Sequence, residues 1–273
     1  TLALALPTAL LRVRLFILQH DCGHRSFFKS KRANDTVGFV LGVLTYTPYD
    51  HWRRKHAMHH ACSGDLDRRG KSGEILTMTV EEYRNAGWFQ RLYYRIYRHP
   101  FVLFGFGAFF HFVIGQRFTT HVPKTWKKER RSIHLTNAGL LLLAVVMGYS
   151  IGLWKLALIE LPIMFLAAGA GVWLFYMQHQ YEEAYWERGE DWDFVQAAIA
   201  GSSYYRLPKV LQWFTGSIGL HHIHHLDARI PNYRLQRCYD ANPELQQVHE
   251  FSLLDSIGCI RAKLWDEEQR TMV

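Results

Sequence analysis

The sequence has few cysteines, and their arrangement indicates neither a disulfide framework nor a cysteine-based metal site. Four cysteines occur among 273 residues, and no two of them form a CxxC pair. They are Cys22, Cys62, Cys238 and Cys259. Isolated cysteines of this kind are typical of proteins in a reducing compartment. We therefore expect reduced thiols in a cytosolic environment.

Several cofactor and nucleic-acid motifs are also missing. The sequence has no flavin or nicotinamide fingerprint, no haem motif and no nucleic-acid-binding motif. Its apolar residues come in blocks, and the near-neutral mean hydropathy of −0.13 averages these blocks with very polar segments. Positive loops are expected beside membranes, which accounts for the formal net charge of +8. We expect a membrane protein with no nucleic-acid partner.

Histidine, by contrast, occurs in unusual number and spacing. Eight of the sixteen histidines fall into three short motifs. On a helix, positions i, i+3 and i+4 share one face, and the second and third motifs both have this spacing. The motifs, called boxes one, two and three below, are His20/His24, His56/His59/His60 and His221/His224/His225. Neutral imidazole is a common ligand of zinc, copper, iron and nickel, so the boxes predict metal binding.

The number of histidines predicts two metal ions. Eight or nine imidazoles are too many for one ion of ordinary coordination number, and a structural zinc site usually includes cysteine. The boxes contain almost no carboxylate ligands, unlike the glutamate-rich di-iron bundles. The pattern favours an all-nitrogen dimetal site with open positions for a small molecule. Iron that activates O2 is the leading candidate.

The boxes and the residues around them resemble those of the membrane fatty acid desaturase family. The flanking sequences are DHWRR at 50–54, LDRRG at 66–70 and LDARIPNY at 226–233. These flanks are similar to the acyl-lipid branch that introduces a second double bond, the Δ12 or omega-6 type. The resemblance runs from about residue 10 to residue 240.

This resemblance implies an O2-dependent oxidoreductase that introduces a cis double bond into a fatty acyl chain, carried by a membrane lipid or by CoA. It implies two iron ions, O2 as co-substrate, and two electrons from a donor such as ferredoxin or a cytochrome b5-like protein. It also implies a ninth ligand, His179. One related branch has an asparagine one turn before this histidine. Here that position is Phe175, so the feature is either absent or replaced by another residue such as Gln178. The expected metal ligands are His20, His24, His56, His59, His60, His179, His221, His224 and His225.

The expected fold is an all-α integral membrane protein, a single domain over 1–273 whose transmembrane helices carry a cytosolic, histidine-rich cap around the dimetal site. Residues 1–19 begin within an apolar run, so we expect part of a transmembrane helix and a truncated N-terminus. Residues 135–152 and 154–178 are the clear transmembrane hairpin. Residues 179–273 would form the cytosolic cap and a tail, helical after residue 240.

Two further apolar runs, 36–49 and 101–116, are shorter than the roughly 20 residues that a span needs. We expect both to be re-entrant or interfacial. All three boxes then face the cytoplasm, at a bacterial inner membrane or its equivalent.

Other polar residues near the boxes are candidates to orient the ligands. A histidine ligand needs a partner on its second ring nitrogen, and nearby carboxylates or spare histidines are suited to this. His51 lies outside the helical spacing of box two, and His222 points about 100° away from its neighbours in box three. The candidates are Asp21, His51, Asp67, Glu183, His222 and Asp227.

Two alternative functions remain open. A hydroxylase of alkanes, sterols or carotenoids could use the same scaffold, although the flanking sequences favour desaturation. A non-catalytic metal-binding or metal-transport membrane protein would place its ligands along the spans. Here they are expected at the cytosolic rim.

Overall fold

Helices make up most of the residues that the structure describes. A computed structural model describes residues 2–70 and 73–273, except for the side chain of residue 2. This part of the chain divides into two compact units. Unit one contains the residues up to Arg54 and Phe101–Val172, and unit two contains Lys55–Pro100 and Trp173–Val273. The predicted helical class is confirmed, and the helices Tyr49–Cys62 and Leu153–His179 each contribute residues to both units.

Unit one is helical in its described residues. Helices are numbered in chain order through both units. The elements of unit one are a 3₁₀ turn Leu2–Leu4, α1 Ala5–His24, α2 Lys31–Leu44, the start of α3 Tyr49–Cys62, a π-helical segment Phe101–Gly107, α6 Ala108–Val113, a 3₁₀ turn Gly115–Arg117, α7 Lys127–Ile151 and most of α8 Leu153–His179. Helix α1 packs against α2, and α2 packs against α7.

Local signals in the sequence set the ends of the first two helices. Helix α2 begins where the Ser30 hydroxyl accepts a hydrogen bond from the Ala33 amide at 3.3 Å, the usual way in which serine caps a helix. Helix α1 ends at Arg25, which adopts a left-handed conformation with φ of 59°. Box one therefore forms the last turn of α1.

Helices α7 and α8 are each long and apolar enough to cross a membrane. Only Gly152 separates them, with φ of 90°, a conformation that favours glycine. Leucines such as Leu141 and Leu142 are 66% and 64% exposed, as expected for a surface that faces lipid. The predicted segments 135–152 and 154–178 correspond to these two helices apart from their ends.

Unit two combines short helices with short strands. Its helices, besides the ends of α3 and α8, are α4 Val80–Asn85, α5 Trp88–Tyr97, α9 Phe194–Ile199, α10 Lys209–Phe214, α11 His221–Leu226 and α12 Asn232–Ala241, with 3₁₀ turns at Gly189–Asp191, Pro243–Gln246 and Asp255–Arg261. Its strands are β1 Met78–Thr79, β2 Tyr204–Arg206, β3 Glu250–Ser252, β4 Leu264–Asp266 and β5 Thr271–Met272.

The strands form two small sheets that the sequence did not predict. In one sheet β4 lies between β1, which is parallel to it, and β5, which is antiparallel. In the other, β2 pairs in parallel with β3, with Tyr205 opposite Phe251. The prediction of a helical tail after residue 240 is therefore wrong beyond the end of α12. The backbone N–H and C=O groups there form hydrogen bonds with strands that are distant in sequence. A local amphipathic pattern gives no information about such partners.

Candidate metal centre

Box two lies on the second half of α3. His56, His59 and His60 follow one another at helical spacing, so their rings leave the same face of the helix. The Nε2 atoms of His56 and His60 are 3.1 Å apart. His59 is buried, whereas His56 and His60 are half-buried.

His179 is the last residue of α8, and its ring is held by the backbone. Its Nδ1 lies 3.0 Å from the carbonyl oxygen of Gly201. A carbonyl only accepts hydrogen bonds, so Nδ1 carries the proton and Nε2 carries a lone pair. The end of the apolar helix thus presents a ligand nitrogen.

Box three lies on α11, a helix of six residues that packs against α9. Just before it, Leu220 pairs with Tyr204 in an isolated antiparallel bridge. All five residues from His221 to His225 are buried. The polar rings of box three are therefore fixed inside unit two rather than displayed on its surface.

Four histidines from boxes two and three and from α8 converge on one point. Each offers one ligand nitrogen, and these four nitrogens lie within 4.8 Å of one another. The Nε2 atom of His179 is 3.1 Å from that of His59 and 3.0 Å from that of His221. The four residues, all buried, are His59, His179, His221 and His225. They are called the four-histidine cluster below.

The protonation pattern of this cluster fits a metal ion. The Nδ1 atom of His59 lies 3.5 Å from a carboxylate oxygen of Glu74, which favours a proton on Nδ1 and a lone pair on Nε2. The Nε2 lone pairs of His59 and His179 then face each other and repel unless a cation lies between them. Two nitrogens about 3 Å apart could share one metal ion at the usual metal–nitrogen distance of about 2.0–2.1 Å. The observed separations therefore allow a shared metal ion.

Burial keeps the imidazoles neutral, which metal ligation requires. Burial, followed by the neighbouring imidazoles of His60, His221, His179 and His59, holds the pKa of His225 well below its usual range. The Nε2 atom of His225 is buried and has no hydrogen-bond partner among the described residues. It is therefore available to a metal.

A second group of nitrogens lies beside the first within unit two. The Nε2 atom of His60 is 3.1 Å from that of His56 and 3.0 Å from that of His224. The ring of His60 also stacks on that of His225, with centroids 4.2 Å apart, which joins this group to the four-histidine cluster. Unit two by itself thus brings together seven of the nine predicted ligands.

Box one belongs to unit one. The rings of His20 and His24 meet edge to face, with centroids 4.7 Å apart. The Nδ1 atom of His20 is 3.2 Å from a carboxylate oxygen of Asp21. Both His20 and Asp21 are buried. A carboxylate beside a histidine nitrogen orients the ring and fixes its tautomer.

Comparison with known proteins identifies the family. The family model described as "Fatty acid desaturase" matches residues 1–253. The chain belongs to the fatty acid desaturase family. The resemblance seen in the boxes is thus confirmed, and with it the prediction of an oxidoreductase of this family.

Several relatives carry more specific names. A fatty acid desaturase of Bacillus subtilis (strain 168) is 43% identical over 273 residues, which cover 100% of this chain and 77% of the relative. A Synechocystis sp. sn-1 acyl-lipid omega-3 desaturase (ferredoxin) is 27% identical over 247 residues, 87% of this chain and 66% of the relative. A Synechocystis sp. sn-1 oleoyl-lipid 12-desaturase is 25% identical over 242 residues, 84% of this chain and 64% of the relative. The chain thus spans slightly less than two thirds of the length of both Synechocystis relatives.

Three of the carboxylates predicted to orient ligands in this desaturase pair elsewhere. Asp67 bonds to Arg188 at 2.8 Å, and Asp227 bonds to Arg229 within its own turn at 2.8 Å. Glu183 lies 3.2 Å from the Nδ1 atom of His249, outside the boxes. The side chains of Asp67, Asp227 and Glu183 are 47%, 35% and 59% exposed, so these ion pairs lie at the surface of unit two.

The two spare histidines also have their own surroundings. His51 is buried in unit one, and its ring centroid lies 5.6 Å from that of His121. His222 is fully buried, and its Nε2 donates to the carbonyl oxygen of Leu245 at 2.9 Å. Burial lowers the pKa of His222 to about 4, so this ring is neutral and serves as a hydrogen-bond donor.

One residue beside the candidate metal centre, Glu74, was not selected from the sequence. Glu74 lies next to His59, as described above, and no spacing rule distinguishes it from the other acidic residues of its loop. The ring of Phe175 lies 5.0 Å from that of His59 and 5.3 Å from that of His179, so it covers one side of the four-histidine cluster. The side-chain amide of Gln178, considered above as a substitute for that asparagine, donates to the Ile218 carbonyl at 3.0 Å.

Proposed function

We propose that this protein is a membrane-bound di-iron desaturase that introduces a cis double bond into the acyl chain of a lipid, with Δ12 (omega-6) regiochemistry. The observation that carries the proposal is the buried four-histidine cluster in a chain of the fatty acid desaturase family. An all-nitrogen cluster of neutral imidazoles suits iron. It lacks the cysteine typical of structural zinc.

Nine histidines would hold the two iron ions. The four-histidine cluster would hold one, and His56, His60 and His224 would contribute to the other. From the sequence pattern we count His20 and His24 among the nine ligands as well. Iron, reduced and supplied with O2, provides the oxidising power that side chains lack.

The protein's own residues would position the ligands and keep water away. Burial and backbone contacts fix the rings of His179 and box three, so little reorganisation is needed during the reaction. Phe175 adds an apolar wall against the cluster, which limits access of water and protects reactive species. Two hydrogens would leave adjacent methylene groups of the acyl chain, and O2 would be reduced to water.

The substrate and regiochemistry are argued from the flanking sequences and from relatives. The flanks of boxes two and three are similar to those of acyl-lipid desaturases of the Δ12 type. One relative is named an oleoyl-lipid 12-desaturase, which supports a lipid-bound monounsaturated chain as substrate. Relatives named omega-3 desaturases are at similar identity, so a product profile must decide the position of the double bond.

Electrons would come from a separate protein, since the chain has no motif for a flavin, nicotinamide or haem. Two relatives are named as ferredoxin-dependent, which supports ferredoxin as the donor, with a cytochrome b5-like protein as the other option. We place the boxes at the cytoplasmic face of the membrane, where such soluble carriers are available.

The test is expression of the whole protein in a host that makes monounsaturated but no diunsaturated fatty acids. Lipids would be profiled by gas chromatography with mass spectrometry, and iron would be counted in the purified protein. We expect a diunsaturated product with a new Δ12 bond and about two irons per chain. Two matched variants complete the test. His59→Ala should abolish product formation, whereas His99→Ala, which replaces an exposed histidine outside the boxes, should leave product formation unchanged.

Other outcomes would contradict specific parts of the proposal. An omega-3 product would overturn the regiochemistry and keep the reaction. Hydroxylated lipids with two irons would favour the hydroxylase alternative. Absence of both product and iron would overturn the proposed metal centre.

A further inference from the structure

Glu74 lies in the loop after box two, and its carboxylate is buried against a predicted metal ligand. The side chain of Glu74 is 7% exposed and that of His59 is 3% exposed, with Oε1 and Nδ1 3.5 Å apart. This distance is slightly longer than a formed hydrogen bond, which a small rotation of either side chain would complete. Glu74 lies beside Nδ1 of His59, whereas the nitrogen of His59 that faces the other ligands is Nε2.

A buried carboxylate is costly unless a positive charge or hydrogen-bond donors compensate it. Neither carboxylate oxygen of Glu74 has a hydrogen bond among the described residues. The Glu74 carboxylate also interacts with the ammonium of Lys55. Burial lowers the pKa of that ammonium, and the negative charge of Glu74 opposes the shift. A cation bound at Nε2 of His59 would make the Nδ1 proton more acidic and a stronger donor. Lys55 supplies a positive charge nearby, and metal binding would add the hydrogen-bond donor that Glu74 lacks.

His179 in the same cluster shows the corresponding arrangement with a neutral partner. Its Nδ1 donates to the Gly201 carbonyl, which leaves Nε2 for the metal. A carboxylate in that role also raises the basicity of the ligand, and such partners are worth roughly 10- to 100-fold in metal affinity or activity. His59 would be the ligand of the four-histidine cluster that is strengthened in this way.

A small cavity surrounds this contact and restricts the carboxylate. It has room for about one water molecule. Its lining includes His59, Glu74, Phe175, His179, Gln180 and Trp186. The indole nitrogen of Trp186 is buried with no hydrogen-bond partner among the described residues. Polar groups therefore surround the Glu74 carboxylate, but the cavity is too small for the carboxylate to move far from His59.

We propose that Glu74 is a positioning residue that accepts the Nδ1 proton of His59, fixes the tautomer in which Nε2 binds metal, and strengthens metal binding at the four-histidine cluster. This inference rests on the proposed function only in taking His59 as a metal ligand. It does not depend on the substrate or on the position of the double bond.

The test compares Glu74→Ala and Glu74→Gln with Glu81→Gln, which removes the same charge at an exposed position of α4. The whole protein in detergent is stripped of metal and titrated with iron(II) alone against a competing chelator. We expect about a 10- to 100-fold loss of iron affinity in E74A and a smaller loss in E74Q, whose amide oxygen still accepts a hydrogen bond. E81Q should match the wild type.

Thermal melts of the metal-free proteins separate positioning from a general structural role. Metal-free E74A should be as stable as metal-free wild type or more so, because it loses a buried carboxylate without hydrogen bonds. Its stability should be lower only when iron is present. If E74A were destabilised equally with and without iron, or bound iron as the wild type does, the proposal would be overturned.

The remaining outcomes also decide the matter. If E74A does not accumulate, E74Q carries the test, because its shape and volume match glutamate. A wild-type protein that binds iron but makes no diunsaturated lipid would overturn the proposed reaction and leave the role of Glu74 intact. A wild-type protein that binds no iron would overturn both.

Discussion

Gly219 lies directly against the backbone of Tyr205, two residues before box three begins. The Tyr205 amide donates to the Gly219 carbonyl oxygen at 2.8 Å. A Cβ atom on residue 219 would overlap the carbonyl oxygen of Tyr205, which is backbone and cannot move aside cheaply. The absence of a side chain here lets the chain approach β2 and sets the position from which α11 and its histidines start.

Gly219→Ala should therefore damage the metal centre without touching a ligand. A displacement of about 1 Å at a reacting centre costs on the order of 100-fold in rate. We expect a loss of that order in product formation together with reduced iron content, measured on protein that still inserts into the membrane. Gly258→Ala is the matched control, because no described residue other than its chain neighbours has an atom within 4 Å of a Cβ at that position. Equal behaviour of the two variants would show that the close approach at residue 219 is unimportant.

His221 and His222 are adjacent but should respond differently to replacement. His221 presents Nε2 to the four-histidine cluster, whereas His222 donates to the Leu245 carbonyl. We expect His221→Ala to abolish activity and to lower iron by about one ion per chain, if each cluster holds one ion. His222→Ala should keep its iron and lose about 1–3 kcal/mol of stability, from the lost hydrogen bond and the packing around it.

Iron counting and thermal melts on the two variants measure these effects. The assignment would be contradicted if His222→Ala lost iron while remaining as stable as the wild type. His222→Gln is a useful third variant, since its amide can still donate toward the Leu245 carbonyl.

The histidine boxes show how much of the site the sequence can reveal. Box two follows the helical period, so the convergence of His56, His59 and His60 could be predicted from spacing alone. The apolar runs that form α7 and α8 could also be recognised from the sequence as membrane-spanning helices. Both signals are local, because they depend on residues within a few turns of one another.

Glu74 and the C-terminal strands could not be predicted in the same way. Glu74 reaches His59 through a loop, and no period connects the two residues. The parallel pairing of Met78 with Leu264 joins residues nearly two hundred positions apart. Loop closure and sheet pairing of this kind are decided by the tertiary fold, which local pattern does not encode.

An ion pair between Arg12 of α1 and Glu160 of α8 stabilises unit one. The Nη1 atom of Arg12 donates to Oε2 of Glu160 at 2.6 Å, and a second bond of 3.2 Å joins the other atoms of the two groups. The side chains are only 16% and 26% exposed, so each charge depends on the other. A paired arrangement with two parallel bonds is the stronger form of such contacts.

The two single replacements of this pair should together lower the free energy of unfolding by more than the double replacement does. Arg12→Met or Glu160→Gln leaves a partly buried charge alone, at about 2–4 kcal/mol. The double variant should recover part of that loss, with a coupling energy of about 1–2 kcal/mol. Unfolding of the four proteins in mixed micelles gives the cycle. Strict additivity of the two single effects would contradict the coupling.

Arg98 connects the C-terminal segment of unit two to the end of α8, where Tyr176 lies three residues before the proposed ligand His179. Its guanidinium donates to Gln180 Oε1 at 2.8 Å, to the Tyr176 hydroxyl at 3.0 Å and to the Ala262 carbonyl at 2.9 Å. The residue is 2% exposed, so water cannot replace these bonds if they are lost. A lysine has neither the planar fork nor enough donors at the right angles to satisfy all three.

Arg98→Met and Arg98→Lys should both release this segment. The Gln180 and Ala262 oxygens would each keep one donor, the hydroxyls of Thr77 and Tyr176. We therefore expect a loss of about 1–3 kcal/mol from the missing guanidinium bonds, smaller in the lysine variant. Faster proteolysis after Ala262, followed by mass spectrometry, would report the release directly. Arg95→Met is the control, since Arg95 is exposed and bonds to the Tyr83 hydroxyl. If the two methionine variants were cleaved at the same rate, Arg98 would not be what holds the segment.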